Sequence, residues 1–259
     1  MGTYEKYPLM LNRELSYKNK VAMLKVMARS KESFERPKMM HFVFSFDVNA
    51  FETDGFCQKF KECFSSEIRL LNKNRIAINN SLRKENKLEM ADCKITGNKF
   101  KRKNLLKIRD VPNVEIIYSV EAKIPAIKRK PKLRKNPKVN PVYYHVHFML
   151  ICDVGKANQY SYTEIKICTN KALTRIKGVE DLSGVNARYG FLKLRDKRST
   201  IKVGDDFKSL YWHDLHSEYE DAIIRASYLT KIEQKELLPE KFFNNSFGHT
   251  RAPRLKKNL

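Results

Sequence analysis

Two histidines one residue apart are the clearest chemical signal in this sequence. His145 and His147 lie within PVYYHVHFMLI at 141–151, whose aromatic and β-branched residues predict a strand. Side chains alternate across a strand, so both imidazoles project from one face while Val146 points to the other. Two imidazoles on adjacent positions of one face can hold a metal ion, although such pairs also occur on half-exposed strand surfaces that bind none.

A carboxylate in a second predicted strand completes a metal-ligand set. Glu121 lies in NVEIIYSVEAK at 113–123, on the face opposite Val114, Ile116, Tyr118 and Val120. If the two strands pair, the carboxylate converges with both imidazoles. Two histidines and one carboxylate leave open metal positions for a substrate oxygen. Mn²⁺ and Mg²⁺ are both candidates, because imidazole ligands favour Mn²⁺ and cellular abundance favours Mg²⁺.

A tyrosine and a lysine three residues apart form a second candidate group. The pattern DAIIRASYLTKIEQK at 221–235 favours a helix, which places Tyr228 and Lys231 on one face. A phenol is protonated at neutral pH and needs help to act as a nucleophile. The positive charge of Lys231 can stabilise a phenolate or a phosphoryl transition state. The alternative is a packed tyrosine ring beside a solvated lysine.

The elements that must position these residues predict an α+β fold with a central antiparallel sheet and helices packed on it. The strands at 113–123 and 141–151 are joined by a loop without a helical pattern, so they are expected to be antiparallel neighbours. Helices are predicted at 14–35, 53–86, 158–177 and 214–235, and strands at 40–48, 113–123, 141–151 and 187–195, while 87–112 has no clear assignment.

The first predicted strand, at 40–48, also has two distinct faces. One face is strongly apolar, and the other carries His41 and Asp47, either of which can assist the metal site. A basic helical arm is expected at 1–38 and a single domain at 39–259. The residues of the apolar face are Met40, Phe42, Phe44, Phe46 and Val48.

The positive charge of the chain indicates a polyanionic partner. The formal net charge is +23 and the isoelectric point is near 9.8, which favours nucleic acid. A basic loop at 123–140 and a basic tail at 246–259 concentrate this charge. The alternative is a lysine-rich composition with a solvated loop. The loop cations expected to contact DNA are Lys128, Arg129, Lys130, Lys132, Arg134 and Lys135.

A membrane partner and an oxidising compartment are both disfavoured. No run of about 18 apolar residues occurs, and residues 1–20 lack the apolar centre of a signal peptide. The five cysteines form no C-x-x-C pair, so neither a zinc site nor a disulfide framework is indicated. A reducing cytoplasm is the expected location.

The order of these motifs resembles a known enzyme family. FSFDV (44–48), SVEAK (119–123), YYHVHFML (143–150) and ASYLTK (226–231) together resemble the HUH rolling-circle replication initiator endonucleases. SFGHTRAPR at 246–254 further resembles the inovirus-type replication proteins, or YagK/YfjJ-like family. This likeness implies an RRM-like palm. It also implies that His145, His147 and Glu121 bind the metal, and that Tyr228 is the nicking nucleophile, with Lys231 as the lysine of its motif.

The reaction implied by this resemblance is transesterification on single-stranded DNA at a replication origin. The tyrosine keeps the 5′-phosphate covalently and frees a 3′-OH that a polymerase can extend, so a host helicase and polymerase are implied partners. One motif tyrosine is present, where some phage initiators carry two. Two alternatives stay open at this point. One is a catalytically inactive DNA-binding regulator of prophage origin, and the other is a 2-His-1-carboxylate metal oxygenase.

Overall fold

The computed structural model describes residues 14–124, 142–155, 160–180 and 213–252. They form a five-stranded antiparallel sheet with helices packed on it, so the predicted α+β fold is confirmed. The strands are β1 (Pro37–Ser45), β2 (Val114–Lys123), β3 (Tyr143–Asp153), β4 (His213–Asp214) and β5 (Phe247–His249), in the spatial order β4-β1-β3-β2-β5. The α-helices are α1 (Tyr17–Ser33), α2 (Phe56–Thr96), α3 (Tyr162–Thr174) and α4 (Tyr219–Ser227).

The even-numbered face of the three central strands carries the main core, as their alternation predicts. Phe42 pairs with Phe148 across β1 and β3, and Tyr118 pairs with Phe148 across β2 and β3. The first turns of α2 cover this face with Phe56, Phe60 and Phe64, all buried. Burial of these aromatic side chains removes a large apolar area from water and stabilises the fold. The remaining apolar side chains of this face include Phe44, Phe46, Val120, Val146 and Leu150.

The odd-numbered face is more apolar than its sequence pattern suggests. It holds a second buried cluster in which Met39, Ile117, Met149 and Ile151 of the sheet meet α1 and α4. The sheet is therefore covered on both faces, and the two histidines of β3 lie with Glu121 at one end of the odd-numbered face. The side chains that α1 and α4 contribute are Met23, Leu24, Val26, Met27, Ala222, Ile223 and Ala226.

The region at 87–112, which has no assignment from sequence, belongs to a long helix and a returning strap. Helix α2 continues to Thr96, well beyond the predicted end at residue 86. The strap, residues 98–109, runs back along the helix. Three asparagines of α2, spaced seven residues apart, hold the strap. Each forms hydrogen bonds with both the N–H and the C=O of one strap residue, and these strap residues are spaced three apart. The pairs of this asparagine ladder are Asn72 with Arg109, Asn79 with Leu106, and Asn86 with Lys103.

The predicted helix at 214–235 is wrong in its second half. Helix α4 ends at Ser227, residues 228–230 form a 3₁₀ turn, and Lys231 is extended. Hydroxyl groups compete with the helical pattern here, because Ser227 donates to the Ile224 carbonyl and Thr230 donates to the Ser227 carbonyl.

Two further predictions concern the second half of the chain. The predicted helix at 158–177 is present as α3, with a capping box between Ser161 and Glu164. The predicted strand at 187–195 lies outside the described residues. Among the described helices, none is both long enough and apolar enough to span a membrane.

Candidate active site

The two histidines and the glutamate predicted as metal ligands come together in the structure. The Nε2 atoms of His145 and His147 lie 3.4 and 3.3 Å from Oε2 of Glu121. Metal bonds of about 2.1 Å give donor separations of roughly 3.0 Å in octahedral geometry and 3.4 Å in tetrahedral geometry. The donor atoms of this buried group are therefore spaced as metal ligands, and the group can hold a metal ion.

Strand register explains why these three residues meet. Glu121 lies directly opposite His145 in the antiparallel pair β2–β3, and Ser119 lies opposite His147. Val146, between the histidines, is fully buried in the main core, which fixes both imidazoles on the other face. Asp47 does not join them, because β1 ends at Ser45 and the strand alternation does not extend that far. Its carboxylate instead accepts a hydrogen bond from the Asn49 backbone.

Burial and neighbouring charge set the ionisation of this group. Burial alone would raise the pKa of Glu121, but hydrogen bonds with both histidines and the charge of Lys231 hold this pKa well below its ordinary value. Burial lowers the pKa of His147, and Glu121 opposes part of this effect. At neutral pH the carboxylate is ionised and the His147 imidazole is neutral, which are the protonation states of metal ligands.

His41 contacts the metal-ligand group from β1. Its Nε2 lies 3.0 Å from Nδ1 of His147, and the two rings are 5.1 Å apart. Metal-binding histidines ordinarily use the second ring nitrogen for such an orienting hydrogen bond. Strand alternation places His41 on the correct face, and the structure adds the contact through which it orients His147.

The predicted tyrosine and lysine also reach this group, although they do not share an α-helix. The Tyr228 ring packs edge-on against His147 at 4.8 Å between centroids. The phenol oxygen lies 2.6 Å from Nζ of Lys231, which also lies 2.8 Å from Oε2 of Glu121. Lys231 is fully buried, so it joins the tyrosine to the carboxylate and is not a solvated surface lysine.

Gln234 is a site residue that sequence reasoning misses. Its side-chain oxygen accepts a hydrogen bond of 3.0 Å from Lys231, and its carbonyl accepts one from the Ala122 backbone. Its φ angle is +65°, a left-handed conformation that non-glycine residues rarely adopt. The position depends on how the chain turns back toward β2, and no local pattern at residue 234 indicates it.

The six loop cations predicted to contact DNA fall between the described residues 124 and 142. Lys128, Arg129, Lys130, Lys132, Arg134 and Lys135 lie outside the described residues. Their role as a DNA-contacting loop stays a prediction from the sequence.

Comparisons with family models, with curated proteins and with solved structures give no match for this chain. The resemblance to HUH initiators therefore stays a hypothesis based on motif order. The geometry supports two narrower statements. The group of Glu121, His145 and His147 can hold a metal ion. Tyr228, which accepts a hydrogen bond from the buried Lys231, packs against His147.

Proposed function

We propose that this chain nicks and rejoins single-stranded DNA with Tyr228 as the nucleophile, and so initiates rolling-circle replication of a phage or plasmid-like element. The contact of Tyr228 with both Lys231 and His147 carries this proposal. It puts a potential oxygen nucleophile beside a metal-ligand group, in a chain with a formal net charge of +23. A nucleophile, a charge-stabilising cation and a metal-ligand set are the parts that phosphoryl transfer by a side chain needs.

The chain's own residues account for activation of the tyrosine. The ammonium group of Lys231, 2.6 Å from the phenol oxygen, can stabilise the negative charge that develops as this oxygen attacks phosphorus. A bond forms between the Tyr228 oxygen and phosphorus while the bond from phosphorus to the 3′ oxygen breaks. The phenol proton is released, and the departing 3′ oxygen takes up a proton. Rejoining is the reverse reaction, with a 3′-OH as the nucleophile.

Glu121, His145 and His147 are the residues that would hold a divalent ion. Such an ion, when bound, supplies Lewis acidity toward a phosphodiester oxygen. His41 and Ser119 support this ligand set, because His41 contacts His147 and the Ser119 hydroxyl donates to Glu121 Oε1. Mn²⁺ and Mg²⁺ both suit the set, since imidazole favours Mn²⁺ and abundance favours Mg²⁺.

The Tyr228→Phe change tests the proposal because it removes the hydroxyl alone. Wild-type protein incubated with Mn²⁺ and a pool of single-stranded oligonucleotides is expected to form an adduct that survives denaturation, with the 5′-phosphate on Tyr228. The variant should form none, while peptide mapping of the wild-type adduct should locate the nucleotide on Tyr228. Tyr219→Phe is the matched control, because Tyr219 lies at the other end of α4 and packs under Lys31.

Other results would contradict the proposal in distinct ways. An adduct that persists in Tyr228→Phe would assign the nucleophile to another residue. Cleavage by wild-type protein without an adduct would indicate that water attacks the phosphodiester. Binding of oligonucleotide without cleavage or adduct under every metal tested would favour a DNA-binding regulator without activity.

A further inference from the structure

One buried arginine near the tyrosine has two guanidinium nitrogens that make no hydrogen bond within the described residues. Arg225 lies on α4, and its side chain is buried with a residue exposure of 6%. Its Nε and Nη2 atoms make no hydrogen bond with any residue that the structure describes. Buried polar groups are nearly always bonded, and an uncompensated buried charge is costly. A buried guanidinium of this kind is more easily explained by a ligand that it binds than by a contribution to stability.

The position of Arg225 relates it to the tyrosine site. Arg225 precedes Tyr228 by three residues, and the backbone stays helical through Tyr228, so the two side chains leave the same face of the helix. Burial lowers the pKa of Arg225 to about 10, and the nearby phenol of Tyr228 opposes that shift. The guanidinium is thus close enough to interact electrostatically with the proposed nucleophile.

The charges around Tyr228 are predominantly positive. Lys231 contacts the phenol directly. Burial lowers the pKa of Lys235, the charge of Glu121 opposes this shift, and the charge of Lys231 adds to it, so Lys235 also lies near this group. Glu121 is the carboxylate in contact with this group, and its Oε2 already faces Lys231 and both metal-site histidines.

We propose that Arg225 binds a phosphate oxygen of the DNA strand that enters the Tyr228 site. This assignment rests on the proposed function and adds a specific phosphate-contacting residue to it. A guanidinium offers a planar set of donors that matches the oxygens of a phosphate group. In the free protein the Nε and Nη2 donors make no hydrogen bond within the described residues, and a phosphate oxygen supplies both an acceptor and a negative charge. Arg225 is therefore a substrate-binding residue, and packing within α4 is not its main role.

The stability of an Arg225→Met variant separates these two roles. Methionine keeps an unbranched apolar stem and removes the unpaired charge, so the midpoint of thermal unfolding should equal or exceed that of wild type. A structural arginine would behave in the opposite way, because its loss would lower the midpoint. A lowered midpoint would therefore overturn the proposal.

Inorganic phosphate tests the anion site without any DNA. Phosphate should raise the unfolding midpoint of wild type more than that of Arg225→Met, measured against chloride at equal ionic strength. The general stabilising effect of phosphate on proteins is common to both and cancels in this comparison. Arg69→Met is the matched control, because Arg69 is an exposed arginine on α2, and it should respond to phosphate as wild type does. Equal phosphate responses in all three proteins would overturn the proposal.

Oligonucleotide binding then tests the role in DNA recognition. Binding is measured in a Tyr228→Phe background, so that cleavage does not interfere. Adding Arg225→Met should weaken binding of a single-stranded oligonucleotide roughly tenfold to a hundredfold. It should also reduce the slope of log K against log salt by about 0.7, the value for one lost phosphate contact on single strands. An equal loss in Arg69→Met would assign the effect to net charge and overturn the proposal.

Failure of this inference is distinguishable from failure of the proposed function. Adduct formation by wild type together with an unchanged salt slope in Arg225→Met would remove Arg225 from the site and leave the nuclease proposal intact. Loss of the phosphate response in Arg225→Met without any adduct from wild type would support the anion site while removing the nicking chemistry.

Discussion

At the scale of single residues, the contact between Lys231 and Glu121 links the two halves of the site. Both side chains have no exposed surface, and the two charges lie 2.8 Å apart. Removal of one partner from a buried ion pair leaves the other uncompensated, which costs far more than removal of both. The pair therefore couples the stability of the fold to the integrity of the site.

A double-mutant cycle measures this coupling. Glu121→Gln and Lys231→Met should each lower the free energy of unfolding by about 3 kcal/mol or more, because each leaves one buried charge without its partner. The double variant should lose clearly less than the sum of the two. Urea denaturation in the presence of a chelator gives these free energies without a contribution from bound metal. Additive losses would mean that the pair is not coupled.

Sequence alternation was sufficient to predict the three candidate metal ligands but not the side chains around them. His145, His147 and Glu121 were predictable because strand geometry fixes which side chains share a face, and β2 and β3 pair in the register that places Glu121 opposite His145. Lys231 and Gln234 were not placed by the same reasoning. Their positions follow from a chain reversal after Thr230 and from an isolated bridge between Leu15 and Lys231, and both features are non-local.

At the scale of elements, strands were easier to predict than the ends of helices. The central strands β1, β2 and β3 have a two-residue period that is visible in the sequence, and their observed bounds differ from the predicted ones by only a few residues. Helix α2 is capped at its C-terminal end by Gly97, which has a left-handed backbone conformation, and the strap that follows it is held by side chains from the middle of the helix. Helix periodicity carries no information about the strap, so residues 87–112 had no assignment.

Replacement of the middle asparagine of the ladder tests whether it holds the strap. Asn79 is buried, donates to the Leu106 carbonyl and accepts from the Leu106 N–H, both at 2.7 Å. Asn79→Ala should leave both backbone groups without their partner and cost about 1–3 kcal/mol in local stability. The measurement is amide hydrogen exchange, which should accelerate at Leu106 and its neighbours in the strap.

Asn74→Ala is the control for this experiment, since Asn74 is an exposed asparagine on the same helix. Exchange in the strap should be unchanged in that variant. Protection of Leu106 that survives in Asn79→Ala would show that other contacts hold the strap in place.

At the scale of the whole molecule, binding and chemistry are expected to depend on different parts of the chain. The basic loop at 123–140 and the basic tail at 246–259 carry about half of the formal net charge of +23, whereas the candidate metal ligands occupy one end of one sheet face. Phosphate contacts dominate affinity for nucleic acid, and the chemical step depends on a few positioned groups. Variants should therefore separate into those that change affinity and those that abolish cleavage.

Two sets of substitutions test this separation. Neutralising several cations of the basic loop at 123–140 should reduce the salt slope of single-stranded DNA binding by about 0.7 per lost phosphate contact. Replacing His145 and His147 together with alanine should abolish cleavage and leave that slope unchanged. Salt titrations of oligonucleotide binding by fluorescence anisotropy give both slopes. An unchanged slope in the loop variants would place the path of the DNA elsewhere on the protein.

The asparagine ladder limits which insertions and deletions this region can accept during evolution. Seven residues of helix advance about 10.5 Å, and three residues of extended chain advance about 10 Å, so each step along α2 matches one step along the strap. An insertion or deletion between two rungs on one side alone would break the register between the asparagines before it and those after it. Adding or removing one asparagine with its strap residue instead requires a change of seven residues in the helix together with three in the strap. Related chains that retain the ladder should therefore differ in length here by multiples of ten residues, divided in that proportion.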